Sequence, residues 1–208
     1  MLRTYHLNTG TFPKPNLDTI IQQVETMQTP FLSIIIPAFN EAARLPETLE
    51  QIDQFLSTQA FSFEILVVEN GSTDDTLQIA QGLQKKIPHL KVMREEIRGK
   101  GWAVRQGMLA AQGEFRFICD ADLSMPIEDV LRFIPPQLQD SPIAIASREA
   151  PGAVRYDEPE YRHLVGRIFN LLVRLMLLKG LNDTQCGFKC FRADAAQRIF
   201  PLVSITGW

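Results

Sequence analysis

The sequence predicts an α/β domain built on a mostly parallel sheet with helices on both faces. Three observations carry that expectation. Short apolar runs recur along the chain, each is followed by a polar loop, and each loop leads into a stretch whose apolar residues repeat at helical spacing. Strand, loop and helix repeated in this order join parallel strands by helical crossovers and place ligands at the carboxyl ends of the strands. With 208 residues, 45% of them apolar, the chain is long enough for one well-packed core.

Residues 1–30 are polar and broken by Pro13, Pro15 and Pro30, so they read as an appended arm before a domain over 31–208. The first strand is expected over 31–36, stopped by Pro37. Leu45, Leu49, Ile52 and Leu56 then recur at helical spacing. A second strand over 63–68 leads through a polar loop to a helix carrying Thr76, Ile79, Leu83 and Ile87. The third strand is short, over 91–93, and Ala103, Val104, Met108 and Ala111 mark its helix. Phe115, Phe117, Ile118 and Cys119 make a fourth, buried strand, followed by a helix on Ile127, Val130, Leu131 and Ile134. A fifth strand is expected over 142–146.

Composition removes several classes of function. The balance of 21 basic and 24 acidic residues carries no nucleic-acid signature. Cys119, Cys186 and Cys190 are an odd count without zinc-ribbon spacing, which fits reduced thiols in cytosol. There is no signal-peptide pattern and no run of roughly 18 apolar residues that would span a bilayer. The expectation is a cytoplasmic protein that meets any membrane peripherally, at its inner face.

The polar loops fall where strands end, so Asn40 and Glu41, Glu69 to Ser72, Arg98 to Lys100, and Asp120 to Asp122 should share one rim. Asp120 and Asp122, two residues apart at the end of a strand, project to the same side. Paired hard oxygens on an open edge suit Mg²⁺ or Mn²⁺ when a diphosphate supplies further ligands. A plainer account makes one Asp the cap of the helix after Pro126 and leaves the other in solvent. Gly99 and Gly101 admit either close backbone approach to phosphates or a simple turn.

Taken together, Pro37 to Glu41 (Pro-Ala-Phe-Asn-Glu), Val68 to Ser72 (Val-Glu-Asn-Gly-Ser) and Asp120-Ala121-Asp122 resemble the inverting family-2 nucleotide-sugar glycosyltransferases. Arg98 to Arg105, Ser147-Arg148 and above all Asp183 to Lys189 (Asp-Thr-Gln-Cys-Gly-Phe-Lys) are similar to the branch that transfers glucose from UDP-glucose to dolichyl or polyprenyl phosphate. The resemblance covers 31–208 and implies a glycosyltransferase-A type, Rossmann-like fold. Two departures stand out. Glu69-Asn70 replaces the usual Asp-Asp, although an Asn amide offers both a donor and an acceptor to a uracil edge. The sequence also ends at Trp208, where the resembling enzymes continue, so the domain reads as truncated at its C-terminal end.

The resemblance implies roles residue by residue. Pro37, Phe39, Glu41, Asn70, Arg98, Lys100, Asp120 and Ala121 would bind the nucleoside-diphosphate sugar, with Asp120 and Asp122 holding Mg²⁺ or Mn²⁺. Asp122, Asp183, Arg148 and Arg162 would be catalytic, and Arg148, Arg155 and Arg162 would hold the acceptor phosphate. A lipid phosphate, largely ionised at neutral pH with a second pKa near ~6, attacks without a strong base and needs cations to orient it. A hydroxyl acceptor would instead require an Asp or Glu base. A third reading is a non-catalytic nucleotide-sugar-binding remnant. Residues 164–178 are apolar with Arg167, Asn170 and Arg174 on one face, the pattern of either an interfacial membrane helix or a core helix with a wet edge.

Overall fold

The apolar runs become β1 (Leu32–Ala38), β2 (Phe63–Glu69), β3 (Leu90–Arg94), β4 (Phe115–Ile118), β5 (Ile143–Ile145) and β6 (Lys189–Arg192). In the computed structural model, which describes residues 29–139, 141–147, 183, 186–204 and 207, these strands form one sheet in the order β3-β2-β1-β4-β6-β5. β1 to β4 run parallel, whereas β6 lies antiparallel to both β4 and β5. The helices are α1 (Leu45–Ser57), α2 (Thr76–Gln84), α3 (Lys100–Ala110) and α4 (Ala193–Ile199).

Period-two alternation sorts the strand residues onto two faces. Ile34, Ile36, Ile65 and Val67 pack with Leu45, Leu49, Ile52 and Leu56 of α1. Ile35, Leu66 and Val68 point the other way, against Ala103 and Met108 of α3 and Ala196 of α4. All four of the apolar positions that mark α1 are fully buried, each contributing roughly 1.5–3 kcal/mol. The mostly parallel sheet covered on both faces is therefore as expected, with an antiparallel edge at β6 and β5.

Three local expectations need correction. Pro37 does not stop β1, which continues to Ala38. The Ile35 carbonyl accepts from the Cys119 amide on the β4 side, so the Pro37 nitrogen two residues on faces that same side, beyond the last β4 pair at Ile118. No ladder bond is lost there. Second, the segment Ile127–Phe133 is a 3-10 helix rather than an α-helix. It buries Ile127 and Val130, spaced by one 3-10 turn, and ends at Ile134, which is extended as the residue before Pro135 should be. Third, α2 ends at Gln84, so Ile87 is buried from a turn beyond the helix.

Opposite the polar rim, the sheet is closed by buried polar groups. The Glu64 carboxylate accepts from the Ser33 hydroxyl at 2.7 Å, the Gln112 amide at 2.7 Å and Lys91 at 2.8 Å. Arg116 donates to the Met108 carbonyl at 2.6 Å, and burial draws its pKa down while Glu64 pushes it back up. These bonds satisfy the groups at that end and leave the carboxyl ends of the strands as the open side. Among the described residues no helix is long and apolar enough to cross a membrane. Residues 1–28 of the arm, the helix expected over 164–178, and Arg148, Arg155 and Arg162 lie outside the described residues.

Candidate active site

Four parallel strands end at one rim, and their following loops enclose a cavity of about 540 Å³. The β1 loop contributes Pro37, Ala38, Phe39 and Glu41, and β2 contributes Asn70. Arg98, Gly99 and Lys100 come from the turn between β3 and α3, and Asp120, Ala121 and Asp122 from the end of β4. Every donor-site and metal-site residue named from the sequence thus lies on one wall system. Ala103 and Gly207 complete the lining.

The first two loops are laced together. Asn40, in the left-handed region at φ 56°, donates its amide to the Ser72 hydroxyl at 3.1 Å and accepts from the Thr73 amide at 2.9 Å. The Glu41 amide donates to the Thr76 hydroxyl at 2.8 Å, and that hydroxyl donates to Asp74 at 2.5 Å. The Thr76 hydroxyl, with help from backbone amides, holds the Asp74 carboxyl below its ordinary pKa. Glu41 turns its carboxylate to Arg44 at 3.1 Å.

Asn70 lines the cavity and bonds to the chain itself. It is 2% exposed; its amide nitrogen donates to the Ile97 carbonyl, and its oxygen accepts from the Gly99 amide at 2.6 Å. The side chain therefore brackets the turn that carries Arg98. Gly71 packs against the stem of the same residue, since a Cβ there would lie 3.4 Å from Arg98 Cγ. The guanidinium sits 5.7 Å from the centroid of Phe39, a cation–π contact at the cavity wall. Glu69 is buried and accepts from the Ser72 amide at 2.5 Å.

The carboxylate pair has two characters. Asp120 Oδ1 lies 2.5 Å from Lys100 Nζ, both side chains being partly exposed. Asp122 Oδ1 accepts from the Ser124 amide at 3.0 Å in a local turn, and neither carboxylate caps the helix that follows Pro126, which has no side-chain cap. The carbonyl of Ala121 between them accepts from the Thr48 hydroxyl at 2.6 Å, tying the turn to α1. Among the described residues no cluster of three His, Cys, Asp or Glu side chains forms a protein-only metal cage. Two hard carboxylates in a cavity still fit Mg²⁺ or Mn²⁺, because such ions take one or two carboxylates and complete their shell with phosphates and water.

The second motif meets the first through a glycine. A Cβ on Gly187 would lie 1.9 Å from Asp120 Oδ2, so any larger residue there would have to push the Asp120 carboxylate aside. Lys189 then enters β6 opposite Ile118. Burial lowers its pKa, and the charges of Cys186, Lys100, Asp120 and Asp183 act on it as well. Asp183 is 2% exposed and engaged. Gly187 and Gly207 were not singled out in the sequence. The first has a signal in the motif that carries it, whereas Gly207, whose carbonyl accepts from the Gly101 amide at 3.0 Å, has none.

Comparisons with known proteins bear on the family and the fold. The dolichyl-phosphate beta-glucosyltransferase of Drosophila melanogaster is 36% identical over 192 residues, which cover 85% of this chain and 59% of that protein. The enzyme of the same name from Dictyostelium discoideum is 30% identical over 204 residues, covering 91% of this chain and 62% of its own. The chain thus spans about three fifths of the length of either relative. Among solved structures, glucosyl-3-phosphoglycerate synthase from Mycobacterium tuberculosis, in complex with UDP, matches with a TM-score of 0.57 at 19% identity, over 89% of this chain and 64% of that one. That likeness shows the glycosyltransferase-A type of fold. The sequence pattern of glycosyl transferase family 2 runs from Ser33 in β1 to Phe200 just past α4, across every loop that lines the cavity except Gly207, and the chain belongs to that family.

Proposed function

We propose that residues 31–208 are the donor-binding and catalytic part of a transferase that moves glucose, with inversion, from UDP-glucose to a polyprenyl or dolichyl phosphate. The observation that carries this reading is the convergence of the Asp120 and Asp122 carboxylates with the cationic Arg98 and Lys100 in one cavity of about 540 Å³. That volume is in the range of small-molecule sites, roughly 300–1,000 Å³. The names of the relatives supply the substrates.

Transfer leaves negative charge on the departing diphosphate. A Mg²⁺ or Mn²⁺ ion held by Asp120 and Asp122 supplies Lewis-acid stabilisation of that charge when bound. Lys100, at the first turn of α3, and Arg98 add fixed positive charge on the same side, beside the amide groups at the helix N-terminus. Phe39 and Arg98 offer a flat surface to the nucleobase. The acceptor phosphate, already anionic, attacks the anomeric carbon from the face opposite the diphosphate, and no proton has to be removed first. Arg148, Arg155 and Arg162 hold that phosphate in this reading, with Lys189 and Asp183 beside it. A buried ammonium such as Lys189 gains most from an anionic partner. The lipid acceptor brings the protein to the cytoplasmic face of a membrane, where the 164–178 segment is the candidate contact.

The test is a panel of radiolabelled UDP- and GDP-sugars with a short polyprenyl phosphate in detergent, scoring lipid-extractable label. UDP-glucose with Mg²⁺ or Mn²⁺ should give label, and Asp122→Asn should abolish it, since an amide is a poorer ligand for a hard cation. Label on a hydroxyl acceptor instead, or binding of UDP without any transfer, would overturn the reading.

A further inference from the structure

We propose that Lys100 is a resident counter-ion on Asp120, one that a divalent cation has to displace, and that a nucleoside diphosphate favours the exchange by offering Lys100 a second anion. The inference rests on the cavity being a nucleotide-sugar site and adds to it an order of events.

The geometry sets up a competition for one carboxylate. Lys100 Nζ donates to Asp120 Oδ1 at 2.5 Å, a direct ion pair and charge-assisted hydrogen bond. The other oxygen, Oδ2, lies so close to the backbone of Gly187 that a Cβ there would be 1.9 Å away. Asp120 is therefore flanked by an ammonium on one oxygen and by the Gly187 main chain near the other, which leaves a new cation little room beside the old one. Asp122 already gives one oxygen to the Ser124 amide. Three of the four carboxylate oxygens are thus engaged or crowded before any metal arrives.

A divalent ion at Asp120 would meet the Lys100 ammonium at contact range, where like charges repel strongly even with substantial screening. Metal alone must therefore work against the ion pair. A diphosphate changes the balance, because its oxygens can take the ammonium that leaves Asp120. Lys100 stands at the first residue of α3, behind Gly99 at φ 132°, and lines the same cavity as Arg98, so the side chain has only to turn from one wall toward the space between them. Linkage makes the effect reciprocal: nucleotide tightens metal and metal tightens nucleotide.

The sign of the effect gives the experiment its force, since loss of a cavity-lining lysine should strengthen a binding event. Mn²⁺ binding without nucleotide is measured by the loss of the free-ion electron paramagnetic resonance signal, in wild type, Lys100→Met and Lys100→Arg. Lys100→Met should bind Mn²⁺ about three- to tenfold more tightly than wild type, whereas Lys100→Arg, which keeps the charge, should not. UDP without metal should bind Lys100→Met more weakly than wild type. Lys100→Ala removes the same charge and takes the place of the Met variant should that one fail to show a native melting transition. Equal or weaker Mn²⁺ binding in the charge-removed protein overturns the proposal, as does equal tightening in Lys100→Arg. If Mn²⁺ tightens while wild type binds no UDP, the counter-ion role stands and the nucleotide-sugar reading fails.

Discussion

Asn70 uses both ends of its amide on the chain itself, bridging Ile97 and Gly99. From sequence the residue offers a donor and an acceptor to a base, and nothing in a linear pattern tells which partner it takes. The choice belongs to burial, because a group that is 2% exposed must satisfy its bonds within the protein. Asn70→Asp tests the bracket. At pH 7 the new carboxylate cannot donate to the Ile97 carbonyl and faces it with negative charge, at a cost of about 1–3 kcal/mol. Protonated, the same side chain donates as the amide did, so its folded pKa should stand above the unfolded value near 3.9. The native state then binds the extra proton, and the variant loses stability as pH rises through that folded pKa. Denaturant melts at pH 7 and pH 4.5 should show a deficit against wild type that shrinks at the lower pH. An equal deficit at both would mean that the donor bond to Ile97 is not what Asn70 provides.

Helix α3 shows how an element is placed by the residue it lacks. A Cβ on Gly107 would lie 2.4 Å from Ile35 Cγ2 and 2.9 Å from Val68 Cγ2, so the helix lies on β1 and β2 only because that side chain is missing. Its first turn, with Lys100, lines the cavity. Helix propensity alone favours Ala over Gly by about 1 kcal/mol. Overpacking a filled interface costs about 1–3 kcal/mol, so the two effects oppose each other at this position. Gly107→Ala should lower stability and weaken UDP binding, whereas Gly82→Ala in α2, with nothing within 4 Å, should raise stability. Urea titration of both variants decides it, and a gain at Gly107 would show that α3 can lift without cost. Periodicity marks α3 correctly through Ala103 and Met108, but it gives no sign that Gly107 is the close approach. The same limit explains β1, which runs through Pro37 only because β4 has already ended beside it.

At the scale of the molecule, the cavity belongs to the sheet rather than to any one loop. Its walls come from the ends of β1, β2 and β4, the start of α3, and Gly207. A ligand seated there should stabilise the whole domain and shift a single transition. UDP with Mn²⁺ at a hundredfold excess over its Kd adds about 2.7 kcal/mol. At about 2–4 °C per kcal/mol for a chain of this size, that is a rise of roughly 5–10 °C. Calorimetric scans with UDP and with GDP read the effect directly; a rise with GDP and none with UDP would reassign the base. Alternation of apolar runs and helical spacing by itself determined the parallel sheet, its two covered faces and the rim where the polar loops gather, because burial acts on side chains whose direction is set by local backbone geometry. Asp120-Ala121-Asp122 and the 183–189 motif were likewise plain as stretches of chain. Only the tertiary structure decided that Gly187 passes against Asp120, that Lys100 pairs with that carboxylate and that Asn70 is turned inward. Each of these joins residues separated by 20 or more positions in sequence, and distances across a packed interior are set by every side chain between them rather than by either partner's neighbours.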